Sequence, residues 1–540
     1  MKDAESSPTK GSMRESAPDV KRAATQISSP APVEADPDAG LSLWQALKRW
    51  HRIVFYCAGL TTGILMFGYD YVIVGTTSAM PSFQRDFGEQ LNGHWILPSL
   101  WLGLWNLSSP AASIPGSLLA GWFQDWYGRR ASLALGSFLS IAAVAICYTS
   151  NLPLDINDRR GVFLAGKGFQ GGAIGMVMTT TQTYMSEVVP PILRGPLLAF
   201  FPIFILLGQL VGAAVIYGCM KLENGYTLCF ASQWPFSAAP LLMALIIPES
   251  PTFLVRKNKV DLAHKAQSRL GSNDAESQKI VETIRKNIEH EKTTTKGRYV
   301  DCFHGHNRRR TFIVMFVSIL PQLFGLTLLA KASYFSQVVG MSPHNSILVL
   351  ILGIVGGLIA NVVSIWTTSR FGRRQLVLTS LVVLIGLWTA MGIAGIWEGT
   401  AVVWITAVTM ILVVIVAGLG VWPVSYAVGA ETSSLHLRSK TQGIGWLTTG
   451  FASALFGFVL PYIFNPDQGN LKAKTGFVFT GLCLAALICS YLGVPDMKGR
   501  TPSEIDHMFE QRLPTRQFRH WTSLDGIISP QTTHDLTSPA

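Results

Sequence analysis

The sequence predicts an all-α membrane protein, with twelve transmembrane helices arranged as two six-helix halves. Three observations carry that prediction. The 540-residue chain is 49% hydrophobic and 14% charged, with a mean hydropathy of +0.33, too apolar for an ordinary soluble protein. Apolar runs long enough to span a bilayer recur at roughly 54–75, 95–121, 131–149, 162–185, 196–219, 229–248, 311–336, 346–368, 375–397, 401–428, 441–465 and 475–494. The two halves also repeat one another. Glu187 follows Gly128-Arg129-Arg130 at the same spacing as Glu431 follows Gly372-Arg373-Arg374, and an arginine, Arg194 or Arg438, trails each glutamate equally.

Taken in order, residues 1–40 are polar and rich in Ser, Pro and Asp, with no apolar core of a cleaved signal, and are expected to be a disordered cytoplasmic tail. Residues 41–248 form the N-terminal six-helix half. It opens on an amphipathic segment with Leu43, Trp44, Leu47 and Trp50, expected to lie on the membrane surface. The first span contains Gly68-Tyr69-Asp70. A carboxylate at bilayer depth is costly, so Asp70 reads as functional; the alternative is a frayed helix end facing water. Residues 249–310 are a polar cytoplasmic linker in which Ile280, Val281, Ile284 and Ile288 recur at helical spacing, either as an amphipathic helix or as a flexible linker with transient helix. The C-terminal half runs over 311–494. The tail, 495–540, holds a short helix near Ser503–Glu510 and then a disordered segment.

The formal net charge is +11, yet the basic residues form no patch interleaved with aromatics, so nucleic acid is not an expected partner. They punctuate alternate loops instead, at Arg129-Arg130, Arg194, Arg308-Arg309-Arg310, Arg370, Arg373-Arg374, Arg438 and Lys440. The positive-inside tendency assigns those loops to the cytoplasm, and an even number of spans leaves both termini there. Arg159-Arg160, placed outside, is the exception. Seven cysteines lack metal-type spacing; most read as small buried residues, and Cys219 with Cys229 is a candidate disulfide across a short loop. His304-Gly305-His306 reads as a solvated loop, not a metal site. Gly166–Gly172 sits within a span and lacks the phosphate-loop ending, so an enzyme is not expected.

Several motifs resemble the sugar porter family of the major facilitator superfamily. These are Phe67-Gly-Tyr-Asp70, Asp125-Trp-Tyr-Gly-Arg-Arg130, Tyr184–Gly195, Pro248-Glu249-Ser-Pro251 and Pro495–Thr501, in that order. The resemblance covers about Phe67 to Phe518 and implies the major facilitator fold. Thr179–Glu187, Gly208-Gln-Leu210, Leu435–Thr441, Pro461–Pro466 and Pro514–Phe518 are similar to the fungal α-glucoside (maltose-type) permeases within it.

The resemblance implies a transporter at the plasma membrane that carries a sugar, oligosaccharide or polyol, with no cofactor and a proton gradient as driving force. Its partners would be the small-molecule substrate and the lipid bilayer, and a monomer is expected. Lys167 lies about 30 Å along the fourth span from Glu187, toward the depth of Asp70, and in proton-coupled relatives the basic residue at this spacing pairs with the first-helix Asp. A buried carboxylate favours its charged form beside a cation and its protonated form once the cation leaves; the alternative is that the pair only orients two helices. Gln209, Gln322 and Tyr426 match the family's sugar-contacting positions, or else simply hold helices together. The seventh span departs from the family. Pro321 replaces a sugar-binding Gln, Thr327 an Asn, and Lys331 a gating Tyr, which suits an anionic or carboxylated substrate unless Lys331 snorkels to the surface. Asp125, Arg129, Arg130, Glu187, Arg194 and Glu249, with Arg373, Arg374, Glu431 and Arg438, match an inward-face charge network that latches the halves together in one state. Ser369 stands in the place of Asp125 in the second half. Two other readings stay open: a carrier of a specialised metabolite in either direction, and a non-transporting sugar sensor.

Overall fold

A computed structural model describes residues 43–91, 93–190, 193, 201–293, 299–434, 437–498, 500, 502–519 and 521. The two tails expected to be disordered fall mostly outside the described residues, as do Arg194 and the Ser369 side chain. Twelve helical passages are described. The first five are His51–Thr77, Ser99–Tyr127, Arg129–Tyr148, Ile156–Val188 and Phe201–Cys219, and the sixth comes in two pieces, Gly225–Ala231 and Trp234–Ile246. The seventh is in three pieces, Asn307–Leu323, Leu326–Leu329 and Ala332–Val339. Then follow Pro343–Arg370, Arg373–Ala394, Thr400–Leu419 with Val421–Thr432, Arg438–Phe464 and Thr475–Gly493. Ten passages are long and apolar enough to cross a membrane; the second and fourth are the two outside that set.

Those two are less apolar because they bury small and polar faces on each other. A Cβ at Gly171 would stand 2.2 Å from the Ser109 carbonyl oxygen, one at Gly175 2.3 Å from that of Ser113, and one at Gly116 2.2 Å from that of Gly172. Only glycine permits this backbone approach, and close approach is what holds helices together in lipid. The first and fifth spans meet in the same way, Gly68 against the Ile205 carbonyl and Gly208 against that of Leu65. Between halves, the second span packs on the eleventh and the fifth on the eighth. Pro110 has no N–H for the Asn106 carbonyl, and Gly457 of the eleventh span lets its backbone close over that group.

Three spans read as continuous from the sequence are broken. Pro235 cannot supply an N–H, so the sixth span restarts after Ser232-Gln233. Gly325, at φ +103°, turns the seventh span, and the carbonyl freed at Phe324 accepts a hydrogen bond from Trp388 Nε1 at 3.1 Å. The tenth span breaks at Gly420. A two-stranded hairpin, Glu89–Leu91 paired antiparallel with His94–Ile96, is the one departure from all-α among the described residues.

Cys219 and Cys229 are both buried and both free thiols, so the candidate disulfide is not formed. Arg160, the exception to the charge pattern, is a buried anchor. It donates to the Phe87 carbonyl at 2.8 Å and pairs with Glu89 at 2.9 Å, pinning the loop to the start of the fourth span. The linker forms helices at Pro251–Arg256, Val260–Arg269 and Asp274–Thr293. Val281 and Ile288 bury against Phe253, Leu254 and Ala263, with Ile284 packed beside them. The opening helix, Leu43–Arg49, buries Ala46 and Trp50 against the first span and leaves Trp44 exposed, so its apolar face is turned onto the protein. Arg49 ties it to Glu276 of the linker at 2.7 Å.

Candidate functional site

Asp70 and Lys167 form an ion pair, both almost wholly buried. The other Asp70 oxygen accepts a hydrogen bond from Ser109 Oγ at 2.9 Å. Ser109 is the residue whose backbone touches Gly171, one turn along the fourth span from Lys167, so the glycine contact sets the geometry of the pair. Buried charges persist only when paired and hydrogen-bonded, and this pair has both. Ser109 belongs to none of the sequence motifs.

Directly after Asp70, Tyr71 faces the other half. Its hydroxyl is buried, with Thr327, Gln322, Ser453 and Tyr426 around it. Thr327 Oγ1 donates to Gln322 Oε1, and Gln322 Nε2 donates to Ser453 Oγ at 2.7 Å. Tyr426 is 40% exposed and its ring lies 6.4 Å from that of Trp446. Thus Gln322, Thr327 and Tyr426 gather at the seventh-span break, joined by Tyr71 and Ser453. Gln209 lines a small cavity of about 30 Å³ with Leu326, Met410 and Trp422. Lys331 follows the second break of the seventh span, and its stem packs on Gly75, where a Cβ would stand 2.7 Å from Lys331 Cγ. The set mixes neutral donors and acceptors with aromatic faces, which is what binding a polyhydroxylated molecule requires.

At one end of the bundle the charged residues repeat their contacts in both halves. Arg129 makes a two-pronged pair with Glu187 at 2.6 and 3.0 Å, and Arg373 pairs with Glu431 at 3.1 Å. Arg130 donates to the Ala244 carbonyl at 3.0 Å and Arg374 to that of Tyr491 at 2.6 Å, so each caps the C-terminal end of the last helix of its half. Glu249 accepts from the Arg129 and Arg130 amides at 2.9 and 3.3 Å, closing the N-terminus of the third span. A Cβ on Gly128, at φ +101°, would meet Glu249 at 2.4 Å, and one on Gly372 would meet Asp496 at 2.3 Å. Asp125 lies 3.6 Å from Arg129 but is mostly exposed, and Arg438 donates to the Ala430 carbonyl at 3.1 Å. Each of these contacts closes within one half. Glu187→Gln leaves the buried Arg129 guanidinium without its carboxylate, a loss of about 3 kcal/mol. Transport is expected to fall with the rank order of substrates unchanged; uptake competition that shows a new order contradicts a latch role.

The opposite end is where the halves are joined. Ser99 N donates to Asp467 at 2.7 Å, Leu97 N donates to the Tyr334 hydroxyl at 3.3 Å, and Asn465 Nδ2 donates to the Leu97 carbonyl at 2.8 Å. Gln84 donates to Gln337 at 2.9 Å, Gln337 to the Ala79 carbonyl at 2.7 Å, and Ser333 to that of Gly75 at 3.1 Å. The central site is closed off on this side.

The family model "Sugar (and other) transporter" matches residues 56–509. The chain is 30% identical to the alpha-glucosides permease MPH2 of Saccharomyces cerevisiae over 94% of its own length and 85% of that protein's. It is 28% identical to the MFS transporter fmqE of Aspergillus fumigatus, over 92% of this chain and 93% of that protein. The xylose transporter XylE from E. coli in its inward open conformation shares the fold, with TM-score 0.69 at 20% identity, covering 84% of this chain and 99% of that one. These relatives are transporters, not enzymes. The chain belongs to the Sugar (and other) transporter family, as a sugar porter of the major facilitator superfamily.

Proposed function

We propose that the protein is a proton-coupled importer of a sugar, α-glucoside-like oligosaccharide or related polyol across the plasma membrane. One observation carries this reading: Asp70, paired with Lys167, is followed directly by Tyr71, which faces the neutral polar cluster of Gln322, Thr327, Ser453 and Tyr426. Adjacent residues of one helix therefore join a charge pair to a sugar-type site. Movement of the first span as substrate binds would part Asp70 from Lys167, and a desolvated carboxylate without its cation takes a proton.

With the arginine-rich end and both termini in the cytoplasm, the joined end faces outside and the described state faces inward. Opening outward requires the Ser99–Asp467, Leu97–Asn465 and Gln84–Gln337 contacts to part, while the arginines and glutamates form new pairs between halves. The protein works as a monomer, with the bilayer and the substrate as its partners, no nucleic acid and no cofactor beyond the proton gradient.

A second reading, a carrier of a specialised acidic metabolite, has its own support in Lys331, which takes no carboxylate partner among the described residues. Uptake of radiolabelled maltose-type glucosides by cells lacking their own sugar carriers separates the two. Accumulation against a gradient, blocked by unlabelled α-glucosides, is the expected result. Uptake blocked only by carboxylated compounds favours the second reading, and surface expression with no uptake of either class favours a sensor.

A further inference from the structure

At the arginine-rich end, a cavity of about 910 Å³ opens on the flank of the C-terminal half, lined only by that half, the loop before it and the tail. Its upper part carries His304, Arg308, Arg309 and Arg512, and among the described residues no carboxylate lines it; its lower part is apolar, with Phe312, Phe316 and Leu492. Phe312 and Leu492 are 55% and 64% exposed on the outer faces of the seventh and twelfth spans, where acyl chains run.

The three arginines are not alike. Arg309 is committed to the protein, donating to the Leu513 carbonyl at 2.6 Å and to Thr515 at 2.8 Å. Arg308 and Arg512 are exposed, and among the described residues neither guanidinium donates to a protein acceptor. Arg512 also holds a left-handed backbone, φ +55°, a conformation non-glycine residues rarely adopt. A soluble anion would use the arginines but leave the apolar wall in place. A neutral lipid would use the wall but leave two guanidinium groups unanswered.

We infer that this cavity binds one anionic glycerophospholipid of the adjoining leaflet, its headgroup on Arg308 and Arg512 and an acyl chain along Phe312 and Phe316. The site would couple lipid to the tail. Arg310 of the seventh span pairs with Asp506, donates to the Asp506 carbonyl at 2.9 Å and lies 4.6 Å over the Phe509 ring, so the tail helix Pro502–Glu510 is docked beside the same cavity. A headgroup between Arg308 and Arg512 bridges span and tail.

Native mass spectrometry of the full chain in detergent, with equimolar phosphatidylserine and phosphatidylcholine of matched acyl chains, tests this. Retention of phosphatidylserine over phosphatidylcholine by about tenfold is expected for two arginines at the headgroup. The double variant Arg308→Gln/Arg512→Gln should bring that ratio near one, with an unchanged melting temperature in lipid-free detergent. Arg308→Lys/Arg512→Lys should keep most of the preference, and excess inorganic phosphate should leave the lipid bound. Equal retention by the wild type, an unaltered ratio in the glutamine variant, or displacement by inorganic phosphate overturns the assignment.

Discussion

Asp70→Asn should abolish uphill accumulation of substrate, by tenfold or more, while leaving a carrier still able to exchange substrate down a gradient. Asparagine cannot take a proton, so the driving step is lost even where the substrate site survives. The substitution also leaves the Lys167 ammonium buried without its carboxylate, which costs about 3–5 kcal/mol, so folding must be separated from coupling. Asp70→Asn/Lys167→Gln removes both charges, restores a neutral hydrogen-bonded pair beside Ser109, and should regain folded protein without regaining accumulation. Full accumulation by either variant, measured as the steady-state ratio of inside to outside substrate, contradicts coupling through this pair.

Gly171→Val should cost as much by a different route. Its Cβ would lie 2.2 Å from the Ser109 carbonyl oxygen, a backbone atom that cannot give way. Overpacking costs typically about 1–3 kcal/mol and more where backbones must part. The second and fourth spans would separate at the level of Ser109 and Lys167, loosening the ion pair as well as the fold. Gly168 is the control, since a Cβ there meets nothing within 4 Å. Fluorescence-detected size exclusion should show Gly168→Val as a wild-type peak and Gly171→Val as a much reduced one. Equal peaks would mean the glycine contact is not what holds these spans.

The parts legible in the sequence were those whose physics leaves a mark. Asp70 and Lys167 stand out because charge in an apolar run is expensive, and the Gly-Arg-Arg and Glu repeat stands out because its spacing recurs. The residues that complete each site leave no such mark. Ser109, Tyr71 and Ser453 are neutral hydroxyls, common in spans, and only the approach of Gly171 and the break at Gly325 bring them to Asp70 and Gln322. A closer reading of Ser108-Ser109-Pro110 could have raised Ser109, since a proline within a span marks where backbone is freed and side chains gather. The charge network was legible as a set but not in its pairing: each contact closes within one half, because the halves are joined at the other end.

Proton movement on substrate addition is the most direct measurement of the central claim. In proteoliposomes of the purified chain loaded with a pH-sensitive dye, adding a transported glucoside outside should acidify the lumen. The signal should vanish with a proton uncoupler and in Asp70→Asn. Substrate entry with no change of internal pH would contradict a proton-coupled carrier and leave Asp70 and Lys167 as a purely structural pair.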